Sequence, residues 1–256
     1  MHQLAAQGSQ GAGQYAEAIE LVIELCKQHF KNRLSSIVLY GSVALGDHVP
    51  QYSDLDLMFI IEGHMRHPLD HEALHSIKLK VRRATGIDVH ELWVFGKSLL
   101  LSVPVFWERL GAKTIYGESI IDKAPPMEFS KTTSIKMMNA VRWRWKNNLG
   151  SLTLEEKAKN ALNSTLKLAQ SALLYYDHVA AKKCEIAEGF EAIFNGSHIG
   201  SAPRIAYEHI QRWDELRDNN SALVQIINEY DNFSDSLFWF IGLRTLFEST
   251  QQHQAT

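Results

Sequence analysis

The two halves of the chain differ in how hydrophobic and polar residues alternate. In the first half, apolar residues recur every three or four positions over 15–30 and 69–84, which predicts two amphipathic helices, the second entered through Pro68. Three short runs that are apolar or alternate in polarity predict β-strands, at 36–40, 54–61 and 87–95. The expected order in this half is helix, strand, strand, helix, strand.

The second half shows helical spacing throughout. Four runs carry it, at 131–147, 154–182, 203–217 and 233–250. A break with Pro125-Pro126 separates the halves, and residues 1–14 are rich in Gln, Ala, Gly and Ser, which predicts a flexible tail. We therefore expect an α+β chain with a small mixed-sheet domain at 15–125, followed by an all-α helical bundle domain at 126–250.

Composition narrows the classes of protein that fit this pattern. The 256 residues are 45% hydrophobic and 21% charged, which is typical of a globular protein. The formal net charge of −3 argues against a dedicated nucleic-acid binder, and two cysteines, Cys26 and Cys184, make no disulfide framework. Because no signal peptide or membrane-spanning run is recognisable, we expect a cytoplasmic protein without a membrane partner.

One segment combines a glycine turn with paired carboxylates. The strand at 36–40 leads into Gly41-Ser42, where glycine allows the backbone to turn sharply. If a helix begins at this turn, its free N–H groups favour an anion such as a triphosphate. Asp54 and Asp56 follow at the start of the next strand, whose two-residue period places both carboxylates on one face. Two such charges need a cation, and oxygen ligands suit Mg²⁺.

This segment resembles the nucleotidyltransferase superfamily that includes the palm of DNA polymerase beta. The family pattern is a Gly-Ser turn, a loop, an Asp-x-Asp strand and a third carboxylate on a neighbouring strand. Gly41-Ser42 and Asp54-Leu55-Asp56 match the first parts, with a slightly longer loop between them. The resemblance implies that Gly41 and Ser42 bind the nucleotide phosphates, and that Asp54 and Asp56 bind Mg²⁺.

The third carboxylate has two candidates on the strand at 87–95. Asp88 and Glu91 are three residues apart, so a regular strand presents them on opposite faces. Asp88 is favoured because it stands at the start of its strand, as Asp54 does, and Glu91 is the alternative. The resemblance implies that this third carboxylate is a metal ligand or the general base for an attacking hydroxyl. The metal ions are expected to bind the attacking and leaving oxygens of an in-line displacement.

The helical half could contribute cations to the same reaction. The run 131–149 contains five basic residues and no acidic residue, among them Lys131, Arg142 and Lys146. Arg142 and Lys146 are four apart and so are neighbours on a helix. The order of a small mixed domain and then helices is similar to that of antibiotic nucleotidyltransferases, which implies that these cations bind the triphosphate. A solvated basic face explains the run equally well.

Two other motifs offer competing interpretations. His71-Glu-Ala-Leu-His75 fits the zinc-protease pattern His-Glu-x-x-His, with Glu91 as the nearby candidate for a third ligand. Arg204 and His209 have the spacing of the HEPN ribonucleases, which pair with small nucleotidyltransferases in toxin–antitoxin systems. We interpret the first as a coincidence in a histidine-rich stretch and the second as a helix start after Pro203.

The resemblance thus predicts a Mg²⁺-dependent transferase that moves AMP from ATP, or another nucleoside triphosphate, to a hydroxyl of a small molecule. An aminoglycoside-like or lincosamide-like antibiotic is the expected acceptor, with a function in antibiotic resistance. Two alternatives remain: a protein-modifying (AMPylating) antitoxin-type or regulatory nucleotidyltransferase, and a nucleotide-binding module without catalysis. The sequence leaves the preferred base and the oligomeric state open, including a homodimer.

Overall fold

The computed structural model describes residues 2–62, 68–95, 110–119, 129–148 and 150–254. Side chains are described for these residues except 2–12, 68, 69, 91–95, 148 and 243–254. The chain divides into two compact units, Met1–Met127 and Glu128–Thr256. We call them the sheet unit and the helical unit. The sequence placed the domain boundary between residues 125 and 126.

The sheet unit contains four strands and three α-helices in its described part. Their order along the chain is α1 (His2–Phe30), a 3₁₀ turn (Lys31–Arg33), β1 (Leu34–Tyr40), α2 (Gly41–Leu45), β2 (Leu55–Ile61), α3 (Pro68–Thr85), β3 (Val89–Phe95) and β4 (Lys113–Gly117). The strands form one sheet in the order β3-β2-β1-β4. Strand β1 is antiparallel to β2 and β4, whereas β2 and β3 are parallel and are joined through α3.

Residues of α1, α3 and one face of the sheet form the core of this unit. Alternate residues of β2 contribute to this core, namely Leu55, Leu57, Phe59 and Ile61. The same cluster includes Val22 and Cys26 of α1 and Leu74 and Val81 of α3. Burial of this apolar face fixes the register of β2, because a shift by one residue would bring the Asp56 carboxylate to the face that contacts the core. The register in turn fixes the position of Asp56.

The helical unit contains six helices in the part that the structure describes. They are α4 (Lys131–Asn148), α5 (Leu154–Tyr175), α6 (Lys183–Ile193), α7 (Ala202–Gln211), α8 (Trp213–Leu216) and α9 (Asn220–Gln254). Helix α5 begins with a capping box at Thr153 and Glu156 and is buried along most of its second half. The α+β class, with a mixed sheet followed by helices, is confirmed. Across the described residues, no helix has the length and apolar character needed to cross a membrane.

Several predicted boundaries need correction. Residues 2–14, expected as a flexible tail, lie in α1. The helix predicted at 154–182 ends at Tyr175, because Asp177 adopts a left-handed conformation with φ 59°, and a separate helix α6 follows. Helix α9 begins at Asn220 instead of 233.

Strand β4 was not predicted at all. It is five residues long, lies at the edge of the sheet and has no fully buried side chain, so it lacks the apolar run that identifies an inner strand.

Candidate active site

Gly41 forms the turn between β1 and α2. Its φ of +71° lies in the left-handed region that glycine adopts without strain. A Cβ atom at this position would overlap Oδ2 of Asp56, and would lie only 3.0 Å from its Cγ. The backbone of the turn therefore lies directly against the Asp56 carboxylate, and only glycine permits this approach.

The loop that leads from α2 to the acidic pair is fixed by hydrogen bonds. The Val49 N–H donates to Ser53 Oγ and the Ser53 N–H donates to the Val49 carbonyl, each at 2.9 Å. The hydroxyl of Tyr15, in α1, donates to the Ser53 carbonyl at 2.7 Å. The peptide immediately before Asp54 is thus held by a residue 38 positions earlier in the sequence.

Asp54 and Asp56 flank the first residue of β2. Leu55 and Leu57 are fully buried on the core face, as the two-residue period predicts, and the Asp56 side chain is 25% exposed on the other face. Burial raises the pKa of Tyr15 to about 12, with further contributions from the negative charges of Asp54 and Asp56.

The parallel register of β2 and β3 places the candidates for the third carboxylate. The Leu55 N–H donates to the Asp88 carbonyl at 2.8 Å, so Asp88 lies beside the start of β2. Its Oδ1 atom lies 3.3 Å from Nε of Arg82, and its side chain is half exposed. Glu91 pairs in register with Leu57, not with Asp56, and its side chain lies outside the described residues. The choice between Asp88 and Glu91 stays a prediction.

His90 is a site residue that sequence reasoning missed. It pairs in register with Asp56, and its Nδ1 atom lies 3.3 Å from Asp56 Oδ1 and 3.4 Å from the hydroxyl oxygen of Tyr40. The signal was present, because His90 is two residues after Asp88 and a strand presents both on one face. Tyr15 gave no such signal, since its contact with Ser53 depends on how α1 packs.

The arrangement fits a divalent cation, although it does not form a complete cage. No group of three or more His, Cys, Asp or Glu side chains, among those the structure describes, is placed to hold a metal ion. The Asp56 carboxylate nevertheless lies against the Gly41 turn and is 25% exposed, and Nδ1 of His90 lies 3.3 Å from its Oδ1 atom. Carboxylate oxygens are the donors that Mg²⁺ prefers, so Asp54 and Asp56 are suited to the predicted ion.

The three cations predicted to bind phosphate lie on α4 of the helical unit. Nζ of Lys131 lies 4.9 Å from the ring centroid of Tyr175. Arg142 donates to Asp235 of α9 at 2.5 Å and stacks over the ring of Phe238 at 4.6 Å. Lys146 is exposed. Arg142 thus connects two helices within its own unit, and the phosphate-binding role of all three stays a prediction.

The competing motifs have ordinary positions in the structure. His71, Glu72 and His75 are exposed on α3. Arg204 donates to Glu191 at 2.6 Å, and Nε2 of His209 lies 3.1 Å from Glu229 Oε2, so each has a carboxylate partner within the helical unit.

Comparison with known proteins identifies the sheet unit. Residues 19–100 match the family model described as a nucleotidyltransferase domain. A putative protein adenylyltransferase of Methanocaldococcus jannaschii is 36% identical over 80 residues, which are 31% of this chain and 54% of that protein. The chain therefore spans about half the length of this curated relative.

Two solved structures resemble the chain to different degrees. The crystal structure of spectinomycin adenyltransferase AAD(9) from Enterococcus faecialis, with ATP and spectinomycin, matches with a TM-score of 0.54 at 13% identity, over 84% of this chain and 99% of that one. This likeness shows a shared fold. A toxin–antitoxin complex with AMP-PNP matches with a TM-score of 0.30 at 18% identity, over 50% of this chain and 92% of that chain, and no argument rests on it. Residues 19–100 therefore match a nucleotidyltransferase domain, which agrees with the resemblance predicted from the Gly-Ser turn and the Asp-x-Asp strand.

Proposed function

We propose that this chain transfers AMP from ATP to a hydroxyl of a small molecule and releases pyrophosphate, with an aminoglycoside-like antibiotic as the acceptor class. The observation that carries the proposal is the apposition of Gly41 and Asp56. It brings backbone N–H groups suited to phosphate and a carboxylate suited to a divalent cation to the same point. A nucleoside triphosphate with its counter-ion is a ligand that requires both.

Each part of the site then has a defined task. The first N–H groups of α2, at Gly41 and Ser42, have no intrahelical acceptor and donate to oxygens of the β- and γ-phosphates. Asp54, Asp56 and Asp88 would hold the divalent ion, for which Mg²⁺ is the predicted choice. The bound ion supplies positive charge that offsets the charge of the phosphates.

The group transfer is a single displacement at phosphorus. The acceptor oxygen forms a bond to the α-phosphorus, the bond from that phosphorus to the bridging oxygen of the β-phosphate breaks, and pyrophosphate leaves. The proton of the acceptor hydroxyl passes to a carboxylate, Asp88 or Glu91, and from there to solvent. The protein contributes mainly by positioning the reactants and by neutralising charge.

The small-molecule acceptor is supported by the extent of the likeness to spectinomycin adenyltransferase. That likeness covers 84% of this chain, so it includes helical as well as sheet elements. A second candidate, transfer of AMP to a protein hydroxyl, is supported by the 36% identity with the putative protein adenylyltransferase over 80 residues. The two candidates share the nucleotide chemistry and differ only in the acceptor.

The nucleotide chemistry is tested by removing one carboxylate. Asp56→Asn removes the negative charge at nearly constant shape, and we expect metal-dependent pyrophosphate release from ATP to fall by about a hundredfold or more. Asp218→Asn is the matched control, because Asp218 is an exposed aspartate of the helical unit, outside the candidate site. Equal turnover in Asp56→Asn and the parent protein, with both folded by circular dichroism, would refute the proposed mechanism.

The acceptor is tested with ATP labelled at the α-phosphate. Label is followed into a panel of aminoglycosides, aminocyclitols and lincosamides, and in parallel into protein fractions. Label in a small molecule that depends on Asp56 supports the proposal, whereas Asp56-dependent label in protein alone favours the second candidate. ATP binding without any label transfer would support the module without catalysis.

A further inference from the structure

His90 stands at the point where three strands meet on the face of the acidic pair. Asp56 of β2 pairs in register with Tyr40 of β1 on one side and with His90 of β3 on the other. We propose that Nδ1 of His90 is a ligand of the same divalent ion as Asp56, and that this nitrogen makes the site prefer Mn²⁺ to Mg²⁺. The inference rests on the proposed function, because it concerns the ion that the nucleotide site would hold.

The distance between the two side chains fits a shared ion. Two ligands at about 2.1–2.2 Å from one ion and at right angles to each other lie about 3 Å apart. The Nδ1 atom of His90 and the Oδ1 atom of Asp56 are 3.3 Å apart. A small adjustment of the imidazole ring would therefore bring both atoms to ligand distance.

The side chain of His90 is also accessible for this role. It is 65% exposed, so neither ring nitrogen is confined to a packed core. Gly41 adds no side chain on the adjacent side of Asp56, where even a Cβ atom would overlap the carboxylate. An ion that reaches the exposed part of the Asp56 side chain can therefore also meet the ring.

The donor set determines which ion binds best. Mg²⁺ binds oxygen and retains its waters, whereas imidazole nitrogen suits first-row transition ions. Asp54 and Asp56 offer only oxygen, so a site without His90 has no reason to distinguish Mn²⁺ strongly from Mg²⁺. A nitrogen at this point adds affinity for Mn²⁺ and little for Mg²⁺.

A different role for His90 would produce the same apo geometry. The ring could donate a hydrogen bond from Nδ1–H to Asp56 and orient the carboxylate without contacting the ion. The two roles differ in whether nitrogen is bonded to the metal, which a spectroscopic measurement on Mn²⁺ detects directly.

The test measures Mn²⁺ binding by electron paramagnetic resonance, with ¹⁴N couplings recorded by electron spin echo envelope modulation in the absence of nucleotide. For the parent protein we expect bound Mn²⁺ with an imidazole ¹⁴N coupling. His90→Gln should lose this coupling and bind Mn²⁺ at least about tenfold more weakly, while Mg²⁺ affinity from competition changes little. His75→Gln, an exposed histidine on α3, is the matched control and should retain both the coupling and the affinity.

Each result distinguishes the inference from the function on which it rests. Bound Mn²⁺ without ¹⁴N coupling, or with a coupling that persists in His90→Gln, overturns the role of His90. If either result is found and Asp56→Asn still abolishes Mn²⁺ binding, the proposed function stands. Failure of the parent protein to bind either ion, with or without a non-hydrolysable ATP analogue, overturns both.

Discussion

Gly41 and Gly46 share a backbone conformation but differ in what surrounds them. Both have φ near +70°, at +71° and +69°. A Cβ atom at Gly41 would overlap Asp56, whereas one at Gly46 would meet nothing within 4 Å. The two glycines therefore separate the cost of a strained backbone from the cost of displacing a carboxylate.

We predict that Gly41→Ala removes nearly all turnover, whereas Gly46→Ala retains it. Alanine in the left-handed region costs about 1–2 kcal/mol at either position, because its Cβ atom approaches the following carbonyl. Only at position 41 must the Asp56 side chain also move. The measurements are kcat/KM for ATP and the free energy of unfolding in urea. Similar activity losses in the two variants would show that backbone strain, not the Asp56 contact, limits position 41.

The sequence was informative about residues whose roles follow from local geometry. The positions of Gly41, Asp54 and Asp56 follow from a turn and a two-residue period, both of which can be deduced from adjacent residues. His90 follows from the same period, but a histidine is not part of the pattern of three carboxylates that the resemblance implies. Tyr15 was not predictable, since its hydrogen bond to Ser53 depends on tertiary packing between α1 and a distant loop.

At the scale of elements, a partly buried ion pair connects the start of α3 to the 3₁₀ turn that precedes β1. Asp70 is 3% exposed and accepts two hydrogen bonds from Arg33, at 3.0 and 2.8 Å. It lies in the first turn of α3, where the helix dipole also favours a negative charge. The pair thus helps to position the crossover helix that joins β2 to β3.

We predict that Asp70→Asn lowers the free energy of unfolding by about 2 kcal/mol, because a charged and partly buried hydrogen-bonded pair is lost. Glu24→Gln is the control in the same unit, since Glu24 accepts only an exposed bond from Gln28 within α1, and it should change stability by about 0.5 kcal/mol or less. Urea denaturation of both variants provides the comparison. Equal effects would mean that the Arg33 pair contributes no more than a surface contact.

Elements with a strong apolar pattern were predicted well, and elements defined by tertiary contacts were not. Strands β1, β2 and β3 and helix α3 lie close to their expected positions, and β1, β2 and α3 each contribute several residues to the buried core. Strand β4 is held at the sheet edge by pairing with β1, and this pairing leaves no periodic signal in five residues. The end of α5 at Tyr175 depends on the left-handed Asp177, which no glycine marks.

At the scale of the whole molecule, the predicted role of the helical unit in nucleotide binding can be tested on the cations of α4. Arg142 is a poor probe, because its guanidinium connects α4 to Asp235 and Phe238 of α9, and its loss would disturb the helical unit itself. Lys146 is a better probe because it is exposed on the same helix. Arg144, also exposed on α4, provides a matched control.

We predict that Lys146→Ala raises the KM for ATP severalfold and leaves kcat nearly unchanged, because a lost charge contact to the triphosphate weakens ground-state and transition-state binding alike. Arg144→Ala should leave both constants close to those of the parent protein. Initial rates of pyrophosphate release over a range of ATP concentrations decide the matter. An unchanged KM in Lys146→Ala would remove Lys146 from the nucleotide site.

The hydrogen bond from Tyr15 to the Ser53 carbonyl has a practical consequence for anyone who shortens or tags the protein. Tyr15 of α1 holds the peptide immediately before Asp54 through this bond. An N-terminal deletion that removes Tyr15 would therefore free that peptide, even though every residue of the Gly-Ser turn and of β2 is retained. Low turnover in a shortened variant would then result from the loss of this hydrogen bond and not from the loss of a catalytic group.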